Sequence, residues 1–244
     1  MIALITGAGR GIGRAIALAL AAQGIETVLV ARSEEQVGNV AREIVAAGGK
    51  AKAYALDITD PNAIDALYEK TSGIGRVSIL INNAGIAPSA KIEDTTDEIW
   101  KMAFETNVDA PFKLIRAYVP DMKSLGEGRI INIASTAALE GFSYTSAYTS
   151  SKHALIGLSR AIARELSRSK IRVSTICPGF VRTNILEASV ANIMSKTGKT
   201  HEESVAELGA MNKNAVIIEP EEVAAVVLRE LEMPLDPRGR EVIV

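Results

Sequence analysis

Cysteine and histidine are scarce in this chain of 244 residues. Its single cysteine, Cys177, can form no internal disulfide. The two histidines, His153 and His201, do not form a cluster of metal ligands with other cysteine or acidic residues. A hydrolase would need a nucleophile paired with a base, and the chain has no Gly-x-Ser-x-Gly motif. These absences argue against a metal-dependent enzyme and against a hydrolase, and we expect no bound metal.

Basic patches and long apolar runs are also missing. The net charge is −2, and there is neither a basic patch nor a basic amphipathic helix. We therefore expect no nucleic-acid partner and no binding to a membrane. No apolar run approaches the ~18 residues of a membrane-spanning helix. The first five residues already resemble a strand, which leaves no room for a signal peptide. The sequence predicts a soluble, cytoplasmic protein.

Short apolar strands alternate with helical stretches along the chain. Its composition, 48% hydrophobic and 23% charged, is that of a globular protein with a substantial core, and no linker or repeat divides it. We predict strands at residues 2–6, 27–30, 51–56, 79–81, 129–134 and 172–176, and the first helices at 14–22 and 33–47. This alternation predicts an α/β fold with one domain over residues 1–244. It would be a Rossmann fold, with a doubly wound parallel sheet of about seven strands and helices on both faces.

A glycine-rich turn connects the first strand to the first helix. The sequence TGAGRGIG occupies residues 6–13, and glycines between a strand and a helix let the backbone approach a pyrophosphate at the helix N-terminus. The spacing is neither Gly-x-Gly-x-x-Gly nor that of a P-loop, and a purely structural turn is the alternative. The residues predicted to contact the cofactor here are Gly7, Arg10, Gly11, Ile12 and Gly13.

The end of the second strand predicts which dinucleotide is bound. NAD-binding domains carry an Asp or Glu there for the ribose 2′-hydroxyl, but this chain has Ala31 followed by Arg32. An arginine suits a 2′-phosphate by its charge and its bidentate geometry, and Arg10 could supply a second cation. Both arginines could instead be solvated surface residues. We predict NADP(H), with NAD(H) as the alternative cofactor.

Polar and small residues follow the third and fourth strands. Asp57 could accept a hydrogen bond from an adenine amino group, or it could belong to a turn or cap a helix. We expect Thr59 or Asp60 to cap the next helix at least as well. Small residues and amides at a strand end allow close backbone approach and hydrogen bonds. The residues predicted to contact the cofactor at these two strand ends are Asp57, Ile58, Asn83, Ala84 and Gly85.

Tyr148 and Lys152 are four residues apart in a stretch whose apolar residues repeat with the period of a helix. Positions i and i+4 lie on one face of a helix, so the hydroxyl and the ammonium can reach a common point. A free phenol has a pKa of about 10, and a nearby cation lowers it. We therefore predict that Lys152 lowers the pKa of Tyr148 and that Tyr148 transfers a proton. Taken alone, such a pair is more often part of a half-buried helix face.

Together, these motifs resemble the short-chain dehydrogenase/reductase family, in its compact single-domain form, over nearly the whole chain. Each motif is weak alone, but their order and spacing are highly specific. The resemblance rests on TGxxxGIG at residues 6–13, NNAG at 82–85, Asn107 within TNV at 106–108, Ser135, YxxxK at 148–152, and Pro178, Gly179 and Thr183.

The resemblance implies a role for each of these residues. Tyr148 would be the catalytic acid and base, and Ser135 would polarise the substrate carbonyl. Lys152 would hold the nicotinamide ribose as well as lowering the pKa of Tyr148. Asn107 would anchor a water molecule in a proton relay. The residues implied to contact the nicotinamide end are Pro178, Gly179, Val181 and Thr183.

The resemblance also implies a homo-oligomer, a tetramer or a dimer, in which the helices that carry Asn107 and Tyr148 pack across subunits. Two features depart from the family. Ser174 stands where the family often has an asparagine ahead of Pro-Gly, and the last residues lack the Asp-Gly-Gly tail of many relatives. The second departure weakens the inference of a C-terminal subunit contact, but neither changes the residues of the core site.

Residues 184–219 follow the Pro-Gly turn, where the family places helices that cover the substrate. They mix apolar and charged residues, as either an amphipathic lid over an apolar substrate or an ordinary surface helix pair would. By resemblance we expect a 3-oxoacyl thioester on acyl carrier protein or coenzyme A, as in fatty acid metabolism. Its ketone would be reduced to a secondary alcohol by hydride transfer from the nicotinamide, with Tyr148 as the proton donor. A broad ketone reductase or secondary-alcohol dehydrogenase is the alternative.

Three other functions fit less well. A sugar-nucleotide epimerase could use the same Tyr and Lys, but such relatives usually have a longer C-terminal substrate region. In enoyl-thioester reductases the Tyr and Lys are typically further apart. A non-catalytic cofactor-binding regulatory protein would be expected to have lost one of Ser135, Tyr148 and Lys152, and this chain retains all three.

Overall fold

The computed structural model describes residues 1–244, and a parallel sheet of seven strands lies at its centre. The strands are β1 (Ile2–Thr6), β2 (Glu26–Ala31), β3 (Ala51–Ala55), β4 (Ile79–Asn82), β5 (Gly128–Ile133), β6 (Ile171–Cys177) and β7 (Arg240–Ile243). The α-helices are α1 (Gly11–Ala22), α2 (Glu34–Ala46), α3 (Ala63–Ser72), α4 (Asp97–Phe104), α5 (Ala110–Leu125), α6 (Ser146–Glu165), α7 (Asn184–Thr197), α8 (His201–Ala210) and α9 (Pro220–Glu232). The other helical elements are short: two 3₁₀ turns, Ile92–Asp94 and Thr136–Ala138, and a π-helical turn, Glu105–Asp109.

The strand order is β3-β2-β1-β4-β5-β6-β7, and neighbouring strands are parallel throughout. The chain therefore runs outward in one direction from β1 to β3 and in the other direction from β4 to β7. This confirms the predicted doubly wound α/β fold. In such sheets a ligand binds outside the carboxyl ends of the strands where the order reverses. Here that point lies between β1 and β4.

The sheet is covered on both faces, which explains why its strands read as nearly continuous apolar runs. Successive side chains of a strand point to opposite faces. Ile5 packs with residues of α1, α2 and α9, including Leu20, whereas Leu4 packs with residues of α3 and α5, including Leu67 and Leu114. All of these side chains are fully buried. Burying each of them contributes roughly 1.5–3 kcal/mol, so the two cores fix the strand ends that carry the site.

Two features differ from the sequence predictions. Helix α1 begins at Gly11 and not near residue 14, because the glycine turn passes directly into the first helical turn. Strand β7 pairs with β6 and forms one edge of the sheet, in a segment where the sequence analysis predicts no strand. No helix has the length and apolarity needed to cross a membrane, and no group of three or more His, Cys, Asp or Glu side chains could hold a metal ion.

Helices α7 and α8 form a small unit, which we call the cap (residues 184–211). The two helices pack mainly on each other and have few contacts with other helices and strands. A separate apolar cluster of Leu186, Val190 and Leu208 holds them together, and Phe180 packs against it from the chain before α7. Because this cluster is distinct from the two cores that cover the sheet, the cap has its own packing unit.

Candidate active site

Thr6 and Asn83 join the glycine turn to the end of β4. The Thr6 hydroxyl oxygen accepts hydrogen bonds from the backbone N–H groups of Asn83 at 3.0 Å and Ala84 at 3.1 Å. The Asn83 side-chain amide donates in the other direction, to the carbonyl oxygens of Thr6 at 2.9 Å and Gly7 at 3.3 Å. Backbone groups that leave the two strands are therefore paired. One wall of the crevice between β1 and β4 is held in a single arrangement.

The glycines make this turn a close-fitting cradle. Gly7 (φ 65°) and Gly11 (φ 52°) have left-handed backbone conformations, and a Cβ on Gly7 would lie only 2.8 Å from the Asn83 side-chain nitrogen. A Cβ on Gly13 would overlap the carbonyl oxygen of Gly7. The first turn of α1 has no acidic residue, and Arg10, at its N-cap, makes no side-chain capping bond. The leading N–H groups of α1 thus have no side-chain partner, and the cradle fits the pyrophosphate of a dinucleotide.

Arg32 and Asp57 are exposed at the carboxyl ends of β2 and β3. The hydrogen bond from the Thr59 backbone N–H, at 3.0 Å, is the main cause that lowers the pKa of Asp57, and the charge of Arg32 acts in the same direction. Asp57 therefore belongs to a turn that delays α3 until Ala63. Thr59 does not cap α3, whose N-cap is Asn62, but the Asp60 carboxylate accepts a hydrogen bond of 2.8 Å from the N–H of Asn62, directly before the helix.

Two other predicted contacts differ in their exposure. Arg10 is exposed within the glycine turn, so its guanidinium is open to solvent. Ile58 is buried, and its side chain packs in the apolar cluster that contains Leu67. Only the backbone of Ile58 is therefore available to a ligand, whereas Arg10 can offer its charge.

Lys152 is a buried cation, only 4% exposed. Its ammonium donates a hydrogen bond of 2.9 Å to the carbonyl oxygen of Ile133, at the end of β5. The same nitrogen lies 5.9 Å from the centroid of the Tyr148 ring. Gly85 lies beside this ammonium, because a Cβ there would be 3.4 Å from the Lys152 nitrogen and 3.1 Å from the Asn107 side-chain oxygen. Burial lowers the pKa of Lys152 to about 8.

The Tyr148 hydroxyl lies near the Ser135 hydroxyl, whose oxygen accepts a hydrogen bond of 3.1 Å from the N–H of Ala137. Burial raises the pKa of Tyr148, and the hydrogen bond with Ser135 opposes this rise. The prediction that Lys152 lowers the pKa of Tyr148 is therefore wrong in this structure. Desolvation of the phenolate is the main cause of the rise, and the Lys152 ammonium is directed at the Ile133 carbonyl oxygen. At neutral pH Tyr148 is thus a neutral phenol, the form that can donate a proton.

Asn107 lies in the π-helical turn between α4 and α5 and is fully buried. Its side-chain oxygen accepts from the N–H of Ile86 at 3.0 Å, and its nitrogen donates to the Ile86 carbonyl at 3.0 Å and to the Ser151 hydroxyl at 2.9 Å. The Ser151 hydroxyl donates to the carbonyl of Tyr148 at 2.7 Å. A π-helical turn is rare and is frequently found at functional sites. Here Asn107 connects α6 to the chain after β4.

The turn after β6 reaches both the glycine cradle and the loop that carries Ser135. The N–H of Thr136, the next residue, donates to the Pro178 carbonyl at 2.9 Å. A Cβ on Gly11 would lie 3.1 Å from a methyl group of Thr183, and the Thr183 hydroxyl donates to the Val181 carbonyl at 3.2 Å. The structure therefore brings the residues predicted for the nicotinamide end next to those predicted for the phosphates and for catalysis.

The segment 184–219, predicted to cover the substrate, has two parts. The cap forms the first part. The second part, residues 212–219, pairs with the chain after β6 through a bridge between Val181 and Ile218 and a 2.7 Å ion pair between Arg182 and Glu219. The second part is thus tied to the chain after β6, whereas the two helices of the cap pack mainly on each other.

Two aromatic contacts link the region of the cap to the loop before α6. Lys196, in the last turn of α7, lies 5.5 Å from the ring centroid of Tyr144, and Phe142 packs edge-on against Phe180 with ring centroids 6.4 Å apart. Tyr144 has a left-handed backbone (φ 65°), which is uncommon for a residue with a side chain. Its carbonyl accepts a hydrogen bond of 2.8 Å from the N–H of Ala90. The loop is thereby held between the cap and the chain after β4.

Two residues have structural roles that the sequence did not indicate. Ser174 donates to the buried Glu230 carboxylate at 2.9 Å, and Arg240 pairs with the same carboxylate at 3.0 Å. The departure from the family at Ser174 is therefore explained by this cluster. Asn212 is buried at the end of α8 and bonds to the turn after Gly179. An asparagine between Met211 and Lys213, with a second asparagine at position 214, gives no pattern by which sequence analysis could have found it.

Comparisons with known proteins agree on one family. The model of the short chain dehydrogenase family matches residues 1–194. A 3-oxoacyl-[acyl-carrier-protein] reductase of Escherichia coli (strain K12) is 38% identical over 188 residues, which cover 77% of this chain and 76% of the relative. A D-beta-hydroxybutyrate dehydrogenase of Rhizobium meliloti (strain 1021) is 35% identical over 232 residues, 93% of this chain and 89% of the relative.

The fold leads to the same family. The crystal structure of a variant actinorhodin polyketide ketoreductase with NADPH superposes with a TM-score of 0.92 at 30% identity, over 100% of this chain and 95% of that chain. The protein is thus an α/β oxidoreductase that carries its site at the switch point of a doubly wound sheet. It belongs to the short-chain dehydrogenase family.

Proposed function

We propose that this chain reduces the ketone of a 3-oxoacyl thioester to a secondary alcohol with NADPH. The observation that carries the proposal is the convergence of the Tyr148 and Ser135 hydroxyls and the buried Lys152 ammonium beside the glycine cradle. The relatives that reduce 3-oxoacyl and polyketide substrates support the substrate class.

When bound, the nicotinamide would supply a hydride to the carbonyl carbon. Tyr148 and Ser135 aim two hydroxyl donors at the carbonyl oxygen, where negative charge develops. Tyr148 then gives its proton to that oxygen, and its raised pKa keeps the proton available at neutral pH. The Lys152 ammonium can donate to a ribose hydroxyl. Asn107 keeps one acceptor site on its side-chain oxygen, with which it can hold a water molecule that returns the proton.

NADPH is the proposed cofactor because no carboxylate stands at Ala31 to pair with a free 2′-hydroxyl. The exposed guanidinium of Arg32 can pair with a 2′-phosphate, and Arg10 can add to the positive potential from the glycine turn. A charge-assisted hydrogen bond contributes about 1.5–3 kcal/mol, and solvent reduces this at an exposed site. We therefore expect NADPH to be preferred over NADH by roughly ten- to a hundredfold.

The cap is proposed to cover the acyl part of the substrate. Its apolar cluster and Phe180 lie next to the turn that carries Gly179. An acyl chain placed there would be removed from water, and each buried CH₂ would contribute about 0.8 kcal/mol. A short, small ketone would gain much less from the same surface.

The test is the rate of NADPH oxidation with acetoacetyl-coenzyme A, compared with a small ketone that lacks the thioester. We expect a higher kcat/KM for the thioester. In Tyr148→Phe, turnover should fall by roughly 10²-fold or more with cofactor binding retained. The control Tyr54→Phe, on β3, should have normal turnover. Near-normal turnover in Tyr148→Phe would overturn the catalytic assignment, and a preference for the small ketone would overturn the thioester proposal.

We also propose that the protein forms a homo-oligomer, a tetramer or a dimer, through the outer surface of α4 and α5. This surface exposes Trp100, Met102 and Phe112, each more than 40% exposed, and Trp100 stacks on Phe104 at 4.8 Å. Sedimentation velocity should give a mass above that of one chain, and Phe112→Asp should lower it. A monomeric wild-type protein would contradict this proposal. The cytoplasmic location stays a prediction from the sequence.

A further inference from the structure

Asn212 ties the end of the cap to the turn after β6. It is 8% exposed. Its side-chain oxygen accepts from the N–H of Phe180 at 2.7 Å. Its side-chain nitrogen donates to the carbonyl of Phe180 at 2.9 Å and to that of Val216 at 2.7 Å. One side chain thus engages both backbone groups of Phe180, and it uses three of the four hydrogen bonds that an amide can make.

The Asn212 amide also explains why residue 179 is a glycine. The backbone of Gly179 is not in the left-handed region, so its conformation does not by itself exclude a side chain. A Cβ on Gly179 would, however, overlap the Asn212 side-chain oxygen and lie 2.9 Å from its Cγ. The amide is therefore in direct contact with Gly179, and the two residues constrain each other.

The turn that Asn212 holds is fixed on its other side by the catalytic loop. The Pro178 carbonyl accepts from the N–H of Thr136, next to Ser135, at 2.9 Å. The Phe180 carbonyl accepts a second hydrogen bond, from the N–H of Ile218 at 3.0 Å. The backbone from Pro178 to Phe180 is thus held between Ser135 on one side and Asn212 on the other. A shift of this turn would move it relative to the Ser135 and Tyr148 hydroxyls.

We propose that Asn212 is a positioning residue, which sets the distance between the Pro178–Phe180 turn and the catalytic hydroxyls and thereby the distance of hydride transfer. This inference rests on the proposed function. Asn212 touches neither of those hydroxyls, and it acts through the backbone of Gly179 and Phe180. A misplacement of about 1 Å in a reacting pair can reduce a rate by roughly 10²-fold, so the loss of this amide should affect the chemical step more than cofactor binding.

The kinetic test compares Asn212→Ala with the control Asn214→Ala, a neighbouring exposed asparagine that makes no side-chain hydrogen bond in the structure. We expect kcat to fall about ten- to a hundredfold in Asn212→Ala. The primary isotope effect with NADPH deuterated at the transferred position should rise, and the NADPH Kd should stay within about threefold of wild type. The control should match wild type in all three. An unchanged isotope effect, or a loss of NADPH binding alone, would overturn the positioning role.

The second test uses the cofactor-free protein and needs no activity. Gly179→Ala is made in the wild type and in the Asn212→Ala background, and the unfolding equilibrium constant is measured in urea. In the wild type, we expect Gly179→Ala to increase this constant at least tenfold. In the Asn212→Ala background the increase should be less than half as large, because the effects of mutations at contacting residues are coupled. Equal factors in the two backgrounds would overturn the contact. Coupling with no reductase activity in any variant would overturn the proposed function and leave the contact established.

A milder variant guards against a global loss of folding. Asn212→Asp keeps the size of the side chain and can still accept from the N–H of Phe180, but an ionised carboxylate cannot donate to the two carbonyls. Protonation restores one donor, so kcat in this variant should rise relative to wild type as the pH is lowered toward 5. A constant ratio of the two kcat values across this range would contradict the role of the amide as a donor.

Discussion

Replacing Lys152 by methionine tests how much the buried cation of the site destabilises the folded protein. Methionine keeps an unbranched side chain and removes the charge. Burial lowers the pKa of Lys152 from 10.5 to about 8, which corresponds to ~3 kcal/mol at 1.36 kcal/mol for each pKa unit. The lost hydrogen bond to the Ile133 carbonyl offsets about 1.5–3 kcal/mol of this gain. At pH 7 the variant should therefore be about as stable as wild type or slightly more stable, although it has lost its activity.

The dependence on pH is the sharper measurement. Lysine in the unfolded chain keeps its proton up to a pKa near 10.5, whereas Lys152 in the folded chain releases it near pH 8. Between these values the unfolded state binds more protons, so the stability of the wild type rises with pH. Because Tyr148 and Cys177 are present in both proteins, their titration largely cancels in the difference between wild type and Lys152→Met.

The assay is urea unfolding of both proteins from pH 7 to 10, with Lys123→Met as the control because that side chain is exposed on α5. The free energy of unfolding of wild type should rise relative to that of Lys152→Met by ~2–3 kcal/mol across this range. The difference between wild type and the control Lys123→Met should not show this rise with pH. A flat difference between wild type and Lys152→Met would mean that burial imposes no such cost. A difference that falls with pH would reverse the sign of the reasoning.

Three further predictions concern the cofactor, the glycine cradle and the cap. Ala31→Asp combined with Arg32→Ala should reverse the cofactor preference, measured as kcat/KM with NADPH and NADH, because it adds repulsion and removes attraction; equal values in wild type would contradict it. Gly13→Ala should cost about 1–3 kcal/mol in urea unfolding through its backbone overlap, whereas Gly157→Ala, on an open helix surface, should stabilise by up to ~1 kcal/mol. Lys196→Met should speed hydrogen exchange of α7 about two- to fivefold by removing an exposed cation–π contact; unchanged exchange would mean that this contact does not hold the cap.

The sequence predicted the features of the fold that depend on local patterns. Glycines between a strand and a helix are a local signal, as is the four-residue spacing of Tyr148 and Lys152 in a helical stretch. Parallel strands also place their carboxyl ends at one edge of the sheet, so residues that follow different strands come together. The strand-end residues Asp57 and Asn83 could therefore be assigned to one site although they are distant in the chain, whereas the role of Ser135 rests on the resemblance to the family.

What the sequence did not predict depends on contacts between distant segments. The pKa of Tyr148 rises because desolvation penalises the charged phenolate, although the residue is only partly buried, and this desolvation cannot be read from the spacing to Lys152. Thr59 has the right chemistry for a helix cap but lies in the turn at Asp57, whereas Asp60 bonds to the N–H of Asn62 just before α3. Asn212 had no visible signal at all, because its partners are the backbone groups of Phe180 and Val216 and not particular side chains.

The glycines of the site explain why its elements must be assembled together. Only some of these glycines are required because the backbone there has a left-handed conformation. Gly13 and Gly179 are not in the left-handed region, and each is needed because another segment lies where a Cβ would be. Gly13 adjoins the backbone of Gly7, and Gly179 adjoins Asn212. Each contact joins segments that the fold brings together at one edge of the sheet. An alanine at any of these positions would therefore force apart two walls of the site, and its cost would measure how closely those walls must approach for the reaction.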